Sequence, residues 1–252
     1  NGGSADALGL QATGVEFGLA LQTSQATPSR KWVSLQASAD AVSFVGIDGL
    51  TIAADTLAIA INQADVNGLV VDYSDAATDL TVATGPADED TLTFDMDGAS
   101  GELISASGNL DIDVFGFFQV SGGFAFELQD QTLTLNDGAE TSEINARVLT
   151  LGGSNINAFA GVSGGTDDAV GLSLGEADFA LALITDKDKG AHKFTSLQAT
   201  AGLAAFIGVD VLTLQVEDLA VDVNKGITIG AVPGQDISVN SQWDLLLPTA
   251  FV

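Results

Sequence analysis

A long internal repeat restricts the possible folds of this 252-residue chain more than any other feature of its sequence. Residues 1–62 align with residues 163–224 without a gap, and 25 of the 62 aligned pairs are identical. The best-matched stretches are KWVSLQASADAVSFVGIDGL from Lys31 and KFTSLQATAGLAAFIGVDVL from Lys193, 162 residues later. Apolar positions align with apolar positions, so we expect one structural unit to occur more than once.

The repeat also predicts how the chain is divided. Residues 1–162 form one full copy, and residues 163–252 begin a second. A weaker similarity between the stretches that start at Ala37 and Ala106 indicates two related halves within the full copy, about 1–80 and 81–162. The sequence starts in the middle of the repeat pattern, so we expect the chain to be a piece of a longer array whose units are completed by their neighbours.

Apolar and polar residues alternate along most of the chain, which predicts an all-β fold. In GVEFGLAL, residues Val15, Phe17, Leu19 and Leu21 point to one side of a strand. In LTLQVEDLAVDVN the alternation slips by one residue, which predicts a bend or bulge near Glu217 and Asp218. Strands of about five to nine residues are expected between Gly, Asp and Asn corners such as Gly46–Gly49, Gly122-Gly123, Asn136–Gly138 and Gly152-Gly153.

Two all-β architectures fit this pattern. A β-solenoid or β-helix is favoured by the repeat, by the 29 glycines and by the low aromatic content of 6%. A series of antiparallel β-sandwich or hairpin modules is favoured by two variable loops, Ser24–Arg30 and Asp186–His192, which resemble hairpin tips between alternating strands. We expect the solenoid and keep the antiparallel modules as the alternative.

The charge balance excludes several partners. The chain has 34 acidic and 7 basic residues, a formal net charge of −27. Such a field repels nucleic acid and anionic lipid, so neither is expected to bind. No apolar stretch is long enough for a membrane helix, so membrane insertion is not expected either. The chain has no cysteine, which removes disulfides, thiolate metal sites and cysteine nucleophiles. Outward aspartates also discourage wrong pairing between exposed strands.

The sequence does not indicate an enzyme. Its one histidine, His192, lies in a variable loop, and no positioned partner for it is evident, so we interpret it as an exposed loop residue. The sequence contains no H-E-x-x-H zinc motif and no phosphate-binding P-loop. We therefore predict no catalytic residues.

One short stretch, DMDGASGE, has the composition of a cation-binding loop. Asp95, Asp97, Ser100 and Glu102 offer oxygen atoms at nearly alternate positions, and two glycines permit the sharp turns that a calcium loop requires. It is similar to a shortened D-x-D-G calcium loop. The stretch is either an acidic β-turn between two strands or a calcium site with these four residues as ligands.

Longer phrases such as DMDGASGELISASGNLDIDVFGFFQVSGGFAFE, LTLGGSNINAFAGVSGGTDDAVGLSL and RKWVSLQASADAVSFVGIDGLTI resemble the tandem repeats of giant acidic bacterial secreted or cell-surface proteins of the adhesin-like kind. This resemblance implies a stalk or filament at the bacterial surface, outside the cell. It also implies neighbouring repeats, or copies of itself, as partners, and attachment to a surface, a matrix or surface glycans. The alternatives are a calcium-dependent module that binds carbohydrate or another surface, and a β-helical enzyme that acts on glycans.

Overall fold

The computed structural model describes residues 7–75, 77–136 and 138–228. Within these ranges the chain is built of β-strands, and its one helical element is a single 3₁₀ turn at Gly98–Ser100. The predicted all-β class is therefore confirmed. The predicted division into residues 1–162 and 163–252 stays a prediction, since residues 1–6 and 229–252 lie outside the described part.

Twelve strands follow one another along the chain. Their bounds are β1 (Gly9–Thr13), β2 (Glu16–Thr23), β3 (Lys31–Val45), β4 (Leu50–Gln63), β5 (Leu80–Ala83), β6 (Thr91–Phe94), β7 (Leu103–Val114), β8 (Phe118–Asn136), β9 (Thr141–Val162), β10 (Val170–Asp186), β11 (His192–Ile207) and β12 (Leu214–Thr228).

Ten of the strands form one open antiparallel sheet in the order β1-β3-β4-β7-β8-β9-β10-β11-β12, with β2 beside β1 along the same edge of β3. Strands β5 and β6 form a separate hairpin. The solenoid that we expected is not what the structure shows. Described neighbours in the sheet pair antiparallel, and they are consecutive along the chain except that β1 pairs with β3 and that the β5–β6 segment intervenes between β4 and β7. The loops after β2 and β10 are hairpin tips, as the alternative architecture predicts.

The two repeat copies pair their strands in the same register. Phe17 in β2 pairs with Ala37 in β3, and the residues 162 positions later, Phe179 in β10 and Ala199 in β11, pair in the same way. Ala37 pairs with Ile59 in β4, and Ala199 pairs with Val221 in β12. Strands β10, β11 and β12 therefore repeat the structure of β1–β2, β3 and β4.

A line of kinks, which we call the crease, crosses the middle of the sheet. Thr56 in β4 and Asp218 in β12 are 162 residues apart, and both have positive φ angles, 52° and 51°. Gly14, between β1 and β2, and Glu176 in β10 form a second such pair at 59° and 52°. The register of β4 with β7, of β8 with β9 and of β9 with β10 shifts at the same level. Such irregularities bend a strand. The bend or bulge predicted near Glu217 and Asp218 corresponds to the positive φ of Asp218, and the register of β12 with β11 does not shift there.

Eight of the twelve described strands are longer than the predicted five to nine residues, and β9 reaches 22. Two of the predicted corners, Gly122-Gly123 and Gly152-Gly153, lie inside β8 and β9. A glycine inside a strand can mark close packing instead of a turn. Gly153 is such a case, because the ring of Phe179 lies where its side chain would be.

One side of the sheet, the packed face, carries two separate covers. Over β2–β4, Tyr73, Phe94 and Met96 form a buried cluster with Ala20. Over β9–β11, residues Leu133, Leu135 and Ile144 from the end of the β8–β9 hairpin pack on a buried cluster that contains Ala146, Val148, Ala182, Ile184 and Phe194. Ala20 and Ala182 are equivalent in the repeat. The same face is therefore covered in each copy, but by different parts of the chain.

A buried hydrogen-bond network fixes the first cover. The Tyr73 hydroxyl donates to Ser34 Oγ at 2.9 Å, and Ser34 Oγ donates to Asn62 Oδ1 at 3.2 Å. The Asn62 amide in turn donates to the carbonyl of Val71 at 2.7 Å. This chain of bonds joins β3, β4 and the segment that follows β4.

Candidate functional site

The four residues of the predicted calcium loop lie close together in sequence, but their side chains have different partners. Asp95 Oδ1 accepts a hydrogen bond from the Gln36 amide at 2.9 Å. Asp97 caps the 3₁₀ turn by accepting from the backbone amide of Ala99 at 2.7 Å, and the backbone amide of Ser100 donates to the Asp97 carbonyl. Glu102 points to Arg147.

Residues 7–75, 77–136 and 138–228 contain no group of three or more His, Cys, Asp or Glu side chains arranged to hold a metal ion. A calcium ion would need Asp95 and Glu102 to exchange their protein donors for the cation. The calcium loop stays a prediction.

Glu102 belongs to an ion-pair cluster at the end of the sheet. The Arg147 guanidinium lies 3.0 Å from Glu102 Oε2 and 2.8 Å from Asp130 Oδ1, and the Lys187 ammonium also contacts Asp130. Burial pushes the pKa of Asp130 upward, but the hydrogen bonds from Arg147 and Lys187 outweigh it and hold that pKa below its ordinary value. The cluster joins β8, β9 and the turn after β10, which is a structural role.

His192 is half-buried at the start of β11, and its Nδ1 atom lies 3.6 Å from Asp186 Oδ2. The other carboxylate oxygen of Asp186 accepts from the backbone amides of Asp188 and Lys189. The pair therefore closes the β10–β11 turn, a contact that the sequence did not reveal. Arg30, the equivalent of His192 in the first copy, pairs with Asp65 instead.

Sequence reasoning passed over a short pattern, G-x-S-x-G, at Gly171–Gly175. In hydrolases this pattern places a nucleophilic serine on a sharp turn between a strand and a helix. Here Ser173 lies inside β10, paired with Phe159 and Ala205 on the neighbouring strands. His192 and Asp186 lie at the opposite end of β10 and its partner strand. These residues do not form a catalytic triad.

An open groove of about 530 Å³ runs along the packed face beside the β5–β6 hairpin. Its floor carries Ser105, Ser107 and Glu127 from β7 and β8, and Thr91 and Thr93 form one wall. Burial raises the pKa of the half-buried Glu127 carboxyl. The groove thus presents hydroxyl groups and one carboxyl group with an increased proton affinity.

The opposite side of the sheet carries three rows of apolar side chains, which we call the apolar face. Directly paired residues of an antiparallel sheet point to the same side. The first row is Phe17, Ala37, Ile59, Ala106, Phe126, Leu151, Leu181, Leu197 and Val223. The second is Leu19, Leu35, Ile61, Ile104, Leu128, Leu149, Leu183, Thr195 and Lys225, so this row ends in a charged residue on the edge strand β12. The third is Ala39, Leu57, Gly108, Phe124, Gly153, Phe179, Ala199 and Val221.

Much of this surface is open to solvent. Phe17 is 61% exposed, Leu19 52% and Ile59 42%. Even at the centre of the sheet, Ile104 and Phe126 keep 38% and 37% of their surface exposed. The alternation of Phe17, Leu19 and Leu21 was interpreted correctly as one face of a strand, but no described segment covers that face.

Comparisons with family models, with curated proteins and with solved structures gave no match to this chain. Among the described residues, no helix is long and apolar enough to cross a membrane.

Proposed function

We propose that this chain is a structural repeat segment of an extracellular giant protein or filament, without enzymatic activity. The observation that carries the proposal is the shared register of the two copies, in which Phe17 and Phe179 pair with residues that are also 162 positions apart. A sheet that repeats its own pairing grows in one direction by adding units, and growth of this kind is how repeat proteins reach great length.

The two edges of the sheet support this role. Strand β12 repeats β4, and the edge of β4 that faces away from β3 is occupied by β7. Strands β1 and β2 repeat β10, and the corresponding edge of β10 is occupied by β9. No described strand occupies the outer edge of β12 or of β1 and β2. Inside the sheet, the strands equivalent to these outer strands pair with the next strand on the same edge. We therefore propose that neighbouring repeats pair with the two outer edges.

A place at the bacterial cell surface, with adhesion to other surfaces, is part of the same proposal. The net charge of −27 keeps a long sheet solvated and discourages lateral aggregation. Surface glycans are the adhesive partner that we propose, at the groove beside the β5–β6 hairpin. The hydroxyls of Ser105, Ser107, Thr91 and Thr93, with the carboxyl of Glu127, offer the donors and acceptors that a sugar needs.

Chains with one, two and three copies of residues 1–162 joined end to end test the structural role. One copy contributes six strand positions to the main sheet, namely β1 with β2, then β3, β4, β7, β8 and β9. At about 4.8 Å between strands, each added copy should lengthen the particle by about 29 Å. Small-angle scattering and electron microscopy measure this length. Separate beads with variable spacing would contradict the proposal.

A further inference from the structure

We propose that the apolar face is a contact surface between two copies of this chain, which pack face to face into a two-layered β-sandwich. The inference rests on the apolar face alone and does not depend on the repeat array being a stalk. The partner is a second copy of the chain. The apolar face remains accessible to it even when neighbouring repeats occupy both edges of the sheet.

The size of the face is the first argument. Nine strands about 4.8 Å apart and three rows about 6.8 Å apart span roughly 800 Å². The largest apolar patch on a typical monomer is only about 300–600 Å². One partner in a standard protein–protein interface contributes about 800 Å². The footprint of the apolar face therefore matches one partner's share of a standard interface, which is large enough for a stable dimer.

The distribution of charge is the second argument. The three rows contain no Asp or Glu, although the chain has 34 acidic residues. The packed face carries acids at Glu16, Glu127 and Asp222 in the strands of the same part of the sheet. Two chains that each carry −27 repel one another in most orientations. With the apolar faces together, these carboxylates stay on the outer surfaces in water.

The shape of the face is the third argument. Along the first row, large and small side chains alternate from β2 to β8, in the order Phe17, Ala37, Ile59, Ala106 and Phe126. Facing sheets pack with their side chains interdigitated, about 10 Å apart. A two-fold axis brings the same surface onto itself, so the large residues of one copy can enter the spaces above the alanines of the other.

Sedimentation equilibrium on the full 252-residue chain tests the inference, at protein concentrations from low micromolar to several hundred micromolar. The buffer contains moderate salt, which screens the charge repulsion between chains. The expected mass is twice the 25.5 kDa of the monomer. Ile104→Asp places a charge within the apolar face, on the interior strand β7, and should weaken association at least about 100-fold, because a buried unpaired charge is costly. The control is Ala58→Asp, at an exposed position of β4 on the packed face, where Ala58 pairs with Ser38 and Ser107; this variant should leave association unchanged.

A second variant, Leu19→Asp, distinguishes loss of the contact from misfolding. Leu19 is 52% exposed and lies on an edge strand, so a charge there should not unfold the monomer. It should also weaken association while the circular dichroism spectrum and melting temperature stay those of a folded sheet. The inference is overturned if the wild-type chain stays at 25.5 kDa throughout. It is also overturned if the Ile104 and Ala58 variants associate equally. That result would indicate pairing at the sheet edges and would leave the proposed stalk intact. Monomers that bind neutral phosphatidylcholine vesicles, and lose this binding in Ile104→Asp, would assign the face to lipid instead.

Discussion

The ring of Phe179 lies directly over Gly153 on the neighbouring strand, and a Cβ atom on that glycine would fall 2.2 Å from the ring. Phe124 pairs with Gly153 from the other side, and the centroids of the two rings are 6.4 Å apart in an edge-to-face arrangement. Gly153→Ala should therefore lower the free energy of unfolding by about 1–3 kcal/mol, the usual cost of overpacking. Urea denaturation measures the change. Gly190→Ala is the control, because no atom lies within 4 Å of that position. Equal stability of the two variants would mean that the ring does not rest on Gly153.

Ser34 and Ser196 are equivalent in the repeat but differ in their surroundings. Both hydroxyls bond to an asparagine at 3.2 Å, and only Ser34 also receives a hydrogen bond from Tyr73. Ser34→Ala should cost about 1–3 kcal/mol, since it leaves buried polar groups without a partner. Ser196→Ala, the matched control, should cost less than Ser34→Ala. Thermal and urea unfolding of both variants give the comparison, and a larger loss for Ser196→Ala would rule out the described cover over β2–β4.

The groove makes a prediction about pH. Burial raises the pKa of Glu127 in the folded chain above its unfolded value of about 4.3. Below that pH the carboxyl is protonated in both states. As pH rises through the interval between the two pKa values, the unfolded state releases its proton first, so the wild-type chain loses stability. Glu127→Gln removes this loss. The free energy of unfolding of the variant, minus that of the wild type, should therefore be greater at pH 7 than at pH 3.5.

Urea denaturation at a series of pH values measures the difference in free energy of unfolding between Glu127→Gln and the wild type. The control is Gln129→Asn, two residues further along β8, which changes no titratable group and whose stability relative to the wild type should therefore not change over the same interval. A difference for Glu127→Gln that stays constant from pH 3.5 to pH 7 would mean that the carboxyl is fully solvated.

The calcium loop predicted from the sequence can be tested by adding and removing the ion. Binding would have to displace the Gln36 and Arg147 side chains from Asp95 and Glu102, so affinity should be weak, in the range of about 10⁻⁴–10⁻³ M known for extracellular modules. Millimolar calcium should raise the melting temperature, and chelator should reverse the rise. Asp97→Asn should abolish it, whereas Asp88→Asn, in the neighbouring acidic loop, should not. A rise of the same size with either variant, or with magnesium, would count against a specific site.

The sequence was sufficient for the strand class and the hairpin tips, because alternation and polar loops are local signals. The backbone irregularity at Asp218 was also indicated by the sequence, since the alternation slips by one residue there. The length of β9 was not, because Gly152 and Gly153 have the composition of a turn and only the ring of Phe179 shows that they belong inside a strand. The solenoid was expected because a repeat does not reveal whether its units pair in parallel or antiparallel.

The surfaces were predictable only in part. Alternation showed that Phe17, Leu19 and Leu21 share a side, but it cannot tell which side of a sheet is covered. The covers over Ala20 and Ala182 come from segments distant in sequence. The Glu127 groove depends on the position of the β5–β6 hairpin, which no local pattern encodes.

One full copy of the repeat contributes six strand positions, an even number, to the main sheet, because β1 and β2 share one position along β3. Equivalent strands such as β2 and β10 therefore run in the same direction, and the turns that follow them, at residues 24–30 and 187–191, emerge from the same long side of the ribbon. An odd number would send alternate turns to opposite sides. The loops that vary most in sequence between the copies thus form one row along the sheet, with about 29 Å between successive loops. Selection can alter these displayed segments one at a time without disturbing the hydrogen-bonded ladder beneath them.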